Sequence, residues 1–130
     1  MASEDADFTD EFCRFLQEVV PTVDAAELLL LLAREPNRAF SPAEAVAELG
    51  AGYGEAEALR HLEAFRARGL VVGQPDGRAL YRPASDAIEA YADTLEKVYR
   101  ERPVTLIRVI YGLRDSKIRS FADAFKLRGK

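Results

Sequence analysis

The sequence predicts one mainly α-helical domain that carries a single small β-hairpin. Three observations lead there. Apolar residues recur at three- and four-residue spacing along most of the chain, and helix-capping signals punctuate it. Only "GLVVGQPDGRALYRP", residues 69–83, breaks the helical pattern. At 130 residues the chain has the size of one domain. A domain of that size buries roughly two-thirds of its unfolded surface, enough for one core without metals or disulfides. With 48% hydrophobic and 31% charged residues, the composition is that of a globular protein and not of a disordered one.

Phe8, Phe12, Phe15, Leu16 and Val19 make one apolar stripe, so a helix is expected over about residues 8–20, stopped by Pro21. "VDAAELLLLLARE" follows. Asp24 with Glu27 reads as a capping box, and the five leucines make this helix central to the core. In "FSPAEAVAELG", Ser41 caps, Pro42 takes the first helical position and Glu44 completes the box. "AGYG" turns the chain into a helix over residues 55–68. Ala58, Leu62 and Phe65 face inward there, with Leu59 at the edge and Gly69 as a left-handed stop.

In the hairpin, Leu70–Val72 and Ala79–Tyr81 read as strands around a Gln74-Pro75-Asp76-Gly77 turn. Two strands alone are marginal in water, so the hairpin must lean on the helices, with residues 38–40 as a possible third strand. Beyond it, Asp86 and Glu89 read as a capping box for a helix whose stripe runs Ile88, Tyr91, Ala92, Leu95, Val98 and Tyr99. Pro103 restarts a helix that is apolar on most sides. Ser116 is expected to cap a last one, with Ile118, Phe121, Ala122 and Phe125 inward.

Charge is unevenly spread. Residues 1–35 carry a net −7, residues 36–96 a net −4 and residues 97–130 a net +7. Either the two ends attract one another within or between chains, or the basic end faces a polyanion; mutual attraction is the plainer expectation. Cys13 is the only cysteine, which excludes an intramolecular disulfide and argues against a cysteine zinc site. The acidic amino-terminal stretch has no signal-peptide run, and Leu28–Leu32 falls far short of the ~18 residues of a membrane span. A cytoplasmic protein, with no membrane contact, is expected.

A short helix, a Gly-rich turn, a second helix and an immediate hairpin is the element order of a winged helix-turn-helix. The turn sets the helices at a wide angle so that the second projects, and the hairpin extends beside it as a wing. Such modules lay the projecting helix in the DNA major groove and the wing against the backbone. The expected architecture is therefore mainly α with a small β-hairpin wing, a winged helix-turn-helix flanked by N- and C-terminal helices. Its core spans residues 24–83. Residues 1–23 and 84–130 flank it.

The stretch "FSPAEAVAELG…EALRHLEAFRARGLVVGQPDGRALY" resembles winged helix-turn-helix transcriptional regulators, most nearly the MarR-like group. The shared features are the polar-capped short helix, the "L-E-x-x-R-x-x-G-L" ending and a wing turn rich in Asp, Gly and Arg. The likeness covers about residues 38–83. It implies a sequence-specific DNA-binding regulator with double-stranded DNA as partner, working through a recognition helix (residues 55–68) and a wing (residues 70–82). By position it puts Arg60, His61 and Ala64 on the groove side and Arg78 and Arg82 in or beside the wing. It also implies a homodimer built from the terminal helices, for which Phe8, Phe12, Phe15, Val109, Phe121 and Phe125 are the candidates.

Two features depart from that pattern. The recognition helix opens on Glu55 and Glu57, and residues 36–96 are net acidic, whereas affinity for DNA comes mainly from neutralised phosphates. Acids in a first helical turn answer the helix dipole, which accounts for one of the two better than for both. The alternative is a winged-helix protein–protein interaction module with an acidic recognition face and no DNA binding.

Each candidate also has a plainer role. His61 is a groove donor or a solvated side chain on a helix. Arg66 and Arg68 suit a helix C-terminus, which leaves Arg60 the better contact; Arg78, at the wing tip, has no packing role expected of it. Cys13 would be a redox sensor only if Arg14 stabilised its thiolate, and is otherwise an ordinary partly buried cysteine. The aromatics at 12, 15, 91, 99, 121 and 125 could wall a ligand pocket, though such spacing is more often core or interface. No enzyme is expected: phosphate loop, nucleophile elbow, His-x-x-His and Cys-x-x-Cys are all missing. No cofactor or metal is expected either.

Overall fold

A computed structural model describes residues 7–50 and 52–114. Along the chain run α1 (Asp10–Val19), α2 (Val23–Arg34), β1 (Ala39–Phe40), α3 (Pro42–Leu49), α4 (Glu55–Ala67), β2 (Val71–Gly73), β3 (Ala79–Tyr81) and α5 (Asp86–Glu101). Residues 103–114 form a further helix, α6. The protein is thus mainly helical with a small antiparallel sheet of strand order β1-β3-β2. Ala39 and Phe40 pair with Leu80 and Ala79, and Val71, Val72 and Gly73 with Tyr81, Leu80 and Ala79. A third strand is there, over Ala39–Phe40 within the suggested residues 38–40, so the hairpin is not left to stand alone. No helix among the described residues is long and apolar enough to cross a membrane.

The leucine-rich α2 is the axis of the core. Leu28, Leu29, Leu30 and Leu32 are all buried, and α2 packs against α3, α4, α5 and β3. Phe12 and Phe15 of α1, Phe40 of β1, Phe65 of α4 and Leu95 of α5 close around it. Full burial of each such side chain contributes about 1.5–3 kcal/mol.

Capping explains where the helices begin, and it corrects two expectations. Ser41 and Glu44 form the predicted box at α3: the Ser41 Oγ accepts from the Glu44 N–H (3.1 Å) and Glu44 Oε1 accepts from the Ser41 N–H (2.9 Å). At α2, however, the cap is Thr22, whose hydroxyl accepts from the Ala25 N–H, and not Asp24. At α5 it is Ser85, accepting from the Ile88 N–H, and not Asp86. In both places a hydroxyl on extended backbone precedes the acid. The acid falls instead inside the first turn, where it meets the positive end of the helix dipole.

Helix α4 ends as the sequence predicts. The Gly69 N–H donates to the Arg66 carbonyl (3.1 Å) and the Leu70 N–H to that of Phe65 (2.9 Å), a Schellman closure with Gly69 at φ 78°. From the same residue the hairpin is stitched on: the Ala84 N–H donates to the Gly69 carbonyl (2.7 Å) and the Arg82 N–H to that of Leu70 (2.9 Å). At the other end of the hairpin the Gly77 N–H donates to the Gln74 carbonyl (2.9 Å) and the Gln74 N–H to that of Arg78 (2.7 Å), with Gly77 at φ 88°. This is the three-residue loop in which a turn is followed by a left-handed glycine.

These two glycines differ in their surroundings, which gives a direct test. A Cβ on Gly77 would meet nothing within 4 Å, whereas one on Gly69 would sit 3.1 Å from Ala84 Cβ and 3.3 Å from Ile88 Cδ1. Gly77→Ala should cost only the left-handed strain, about 1 kcal/mol. Gly69→Ala should cost roughly 2–4 kcal/mol, because overpacking adds to that strain. Urea unfolding of both variants measures the difference; equal costs would mean that the junction yields freely.

Candidate functional site

Helix α4 is two-faced. Ala58, Leu62 and Phe65 are buried against the core, as the sequence predicts. The opposite side, Ala56, Leu59, Arg60, Glu63, Arg66 and Ala67, is a continuous exposed stripe, with Leu59 47% exposed. Between this helix and the hairpin runs a shallow groove of about 120 Å³. Leu59, Leu62, Val71 and Ala79 floor it, and Glu63, Arg66 and Arg78 line its rim. Arg66 reaches across to the hairpin, its guanidinium lying over Gly73.

Of the residues predicted from sequence, Arg60 stands on the exposed stripe and Arg82 is exposed just beyond β3. Ala64 lies half-buried on the flank of α4. His61 is neither solvated nor presented to a groove. Only 13% of its side chain is exposed, and Nε2 is shut off from solvent without a hydrogen-bond partner. The imidazole packs edge-on to Tyr53, centroids 6.3 Å apart, and Nε2 lies 3.9 Å from Glu57 Oε2. Tyr53, which sequence reasoning passed over as a turn residue, is itself buried and donates its hydroxyl hydrogen to the Asp24 carbonyl at 2.9 Å. The turn between α3 and α4 is thereby pinned to the start of α2. Burial pushes the His61 pKa below its ordinary value, against the pull of Glu57 and Asp24 and with a smaller push from Arg60.

Arg78 also differs from expectation, for it has a structural role. Its Nη2 lies 3.1 Å from Glu44 Oε2 and its Nε 3.7 Å from Asp76 Oδ2, while its backbone N–H donates to Asp76 Oδ1 at 3.0 Å. The hairpin tip is thus tied to the first turn of α3. The bond joins residues 34 positions apart, and no local pattern announces it. Arg68 pairs with Glu18 of α1, so it too serves the fold.

The terminal segments meet in part as the charge pattern suggested: Asp7 takes both Lys97, at 3.2 Å, and Arg102. The proposed dimer residues divide into three groups. Phe12 and Phe15 are 2% exposed within the single chain, Phe15 stacked on Tyr91 at 5.0 Å, and offer no surface to a second copy. They are core residues, since the inner stripe of α1 turns on α5. Phe8 and Val109 are half-buried at the core's edge. Phe121 and Phe125, like the Ser116 cap, lie outside the described residues.

Of the aromatics that could wall a pocket, Tyr99 lines a polar cleft with Glu27, Leu30 and Arg34, and Phe121 and Phe125 lie outside the described residues. A different, mostly apolar cavity of about 170 Å³ lies between the end of α1 and α6, lined by Leu16, Val20, Pro21, Ile110 and Leu113, with Gln17 and Arg114 at its polar side. The Cys13 thiol is half-buried and its pKa is raised, first by desolvation and then by Asp10. Arg14 therefore does not make it a reactive thiolate. Comparison with protein-family models, curated proteins and solved structures gives no match to the chain.

His61 supplies a pH test with a definite sign. A folded-state pKa below the unfolded value means that the unfolded chain binds the proton more readily. The stabilisation is complete above the unfolded value of about 6.5 and is lost as the pH falls through the lower folded value. We expect the urea midpoint to fall between about pH 7 and pH 5, and to fall less in His61→Phe, which leaves no buried nitrogen to protonate. Parallel pH profiles for the two proteins would show that His61 is not the group responsible.

Proposed function

We propose that the chain is a winged helix-turn-helix transcriptional regulator of MarR-like type, acting in the cytoplasm as a binding module and not as an enzyme. In this reading α4 enters the major groove of double-stranded DNA and the hairpin lies against the flanking backbone. One observation carries it: the stripe of α4 opposite the core is open to solvent, with Arg60 along one edge of it and the hairpin fastened to its end at Gly69. A helix so placed can meet base edges while Arg60 and Arg82 meet phosphates. Fluorescence anisotropy with labelled duplexes tests this directly. Binding should weaken steeply between about 50 and 200 mM salt. Arg60→Ala and Arg82→Ala should each weaken it by about 1 kcal/mol, roughly fivefold. A protein that ignores duplex DNA at low salt is not this regulator.

Homodimer formation belongs to the same proposal, with a changed interface. Val104 and Tyr111, 62% and 53% exposed, and Ile107 form an outward apolar stripe on α6. They can serve a second copy where Phe12 and Phe15 cannot. Sedimentation should give a dimer that Ile107→Glu converts to monomer; an unchanged dimer would put the interface elsewhere.

A second reading is supported by the charges on the same surface. Glu55 and Glu63 are exposed on α4, Glu57 lies on its other flank facing His61, and the groove floor is apolar. That combination suits a protein partner with a basic, partly apolar segment. Under this reading Glu63→Lys abolishes a crosslinked complex, whereas under the DNA reading it strengthens duplex binding.

A further inference from the structure

The wing-tip arginine is already engaged. Arg78 stands on the hairpin where a wing would meet a phosphate, yet its guanidinium faces two carboxylates of its own chain. Glu44 divides its two oxygens between two tasks: Oε1 accepts from the Ser41 N–H to cap α3, and Oε2 faces Arg78 Nη2. Asp76 likewise uses Oδ1 on the Arg78 backbone N–H and Oδ2 on its Nε. Two oxygens from two carboxylates around one guanidinium is the arrangement that a phosphate diester would otherwise provide. These three groups carry one cation against two anions, with Arg38 near enough to act on Glu44 as well.

We infer that Glu44 and Asp76 act as an internal stand-in for phosphate, holding Arg78 in place and setting the threshold for engagement of a polyanion by the wing. The inference rests on the DNA reading for its biological meaning, though not for its test. Arg78 is 46% and Glu44 37% exposed at the side chain, so the pair is solvated and exchangeable rather than a buried lock. A phosphate reaching Arg78 must displace Glu44 Oε2 and be repelled by the carboxylate it displaces. Unselective contact with any polyanion is thereby held down, and the wing engages only when α4 has already brought the backbone close. Glu44 and Asp76 are positioning residues in this scheme, since neither touches the nucleic acid.

The capping box makes a clean test available, because glutamine serves at its third position as well as glutamate does. Glu44→Gln keeps the bond to the Ser41 N–H and removes only the charge that faces Arg78. Asp76→Asn preserves the turn bond in the same way. Wild type, both single variants and Glu44→Gln/Arg78→Ala are compared on immobilised heparin and on a labelled mixed-sequence duplex of about 30 base pairs, enough for three turns.

Each single variant should leave heparin at higher salt than wild type. On the duplex each should bind about three- to tenfold more tightly at low salt, with a salt slope steeper by about one ion. The double variant should lose the gain on both probes. A heparin shift that requires Arg78, without duplex binding by any variant, upholds the internal stand-in and removes the DNA reading. Variants that leave both probes with wild-type behaviour overturn it, whether or not wild type binds the duplex. A gain that survives Arg78→Ala overturns it as well, for it would then be a plain effect of net charge.

Discussion

The arrangement of the molecule depends on how α4 is stopped. Its Schellman closure puts Gly69 in a conformation closed to other residues at low cost, and that one residue then serves three elements. It ends the helix, its carbonyl accepts from the Ala84 N–H to hold the returning strand, and its missing Cβ admits Ala84 and Ile88 at the start of α5. Phe65 and Leu70, on either side of the closure, are both fully buried. The turn is therefore anchored in the core and not merely laid on it. Were the helix to run one turn further, the hairpin would leave from another direction and the groove beside α4 would not exist.

A second constraint acts at the other end of α4. Tyr53 fills the angle between α3 and α4 and binds the Asp24 carbonyl, and His61 packs on its ring. This pair trades a satisfied hydroxyl for an unsatisfied imidazole nitrogen. An orphaned buried nitrogen costs on the order of 1–3 kcal/mol. It is tolerated here because the ring supplies apolar contact at a corner that a smaller side chain would leave open. The geometry of α4 relative to α3 is thus held by a contact that weakens in acid, while its relation to the hairpin is held by backbone bonds that do not.

How much of this could be read from the sequence follows from the range of each interaction. The α4 stripe, the Gly69 stop, the hairpin turn and the Ser41 box are local, spanning a handful of residues, and their residue types state them openly. The caps at Thr22 and Ser85 were obscured for a local reason too: an aspartate one or two positions later fits the same rule, and only backbone geometry separates them. What lay beyond reach was long-range. Whether Phe12 and Phe15 face a core or a partner depends on where Tyr91 of α5 comes to rest. Likewise, whether His61 is exposed depends on Tyr53, and whether Arg78 is available depends on Glu44. In each case the sequence names the chemistry of a side chain and the fold decides its neighbour.

Those neighbours change what the net charge means. Arg34, Arg38, Arg68, Arg78, Lys97 and Arg102 each lie within ion-pair distance of a carboxylate of the same chain. Exposed pairs of this kind add little to stability, on the order of 0–1 kcal/mol each. Their larger consequence is for the field around the molecule. A cation beside its own carboxylate projects a dipole in place of a charge, and a dipole's potential falls off with distance faster than that of a single charge. At those six positions the surface therefore projects less positive charge than its residue types alone imply. How strongly a polyanion would be drawn to the chain is then set by the fold as much as by the residue count, because the fold decides which cations face a carboxylate.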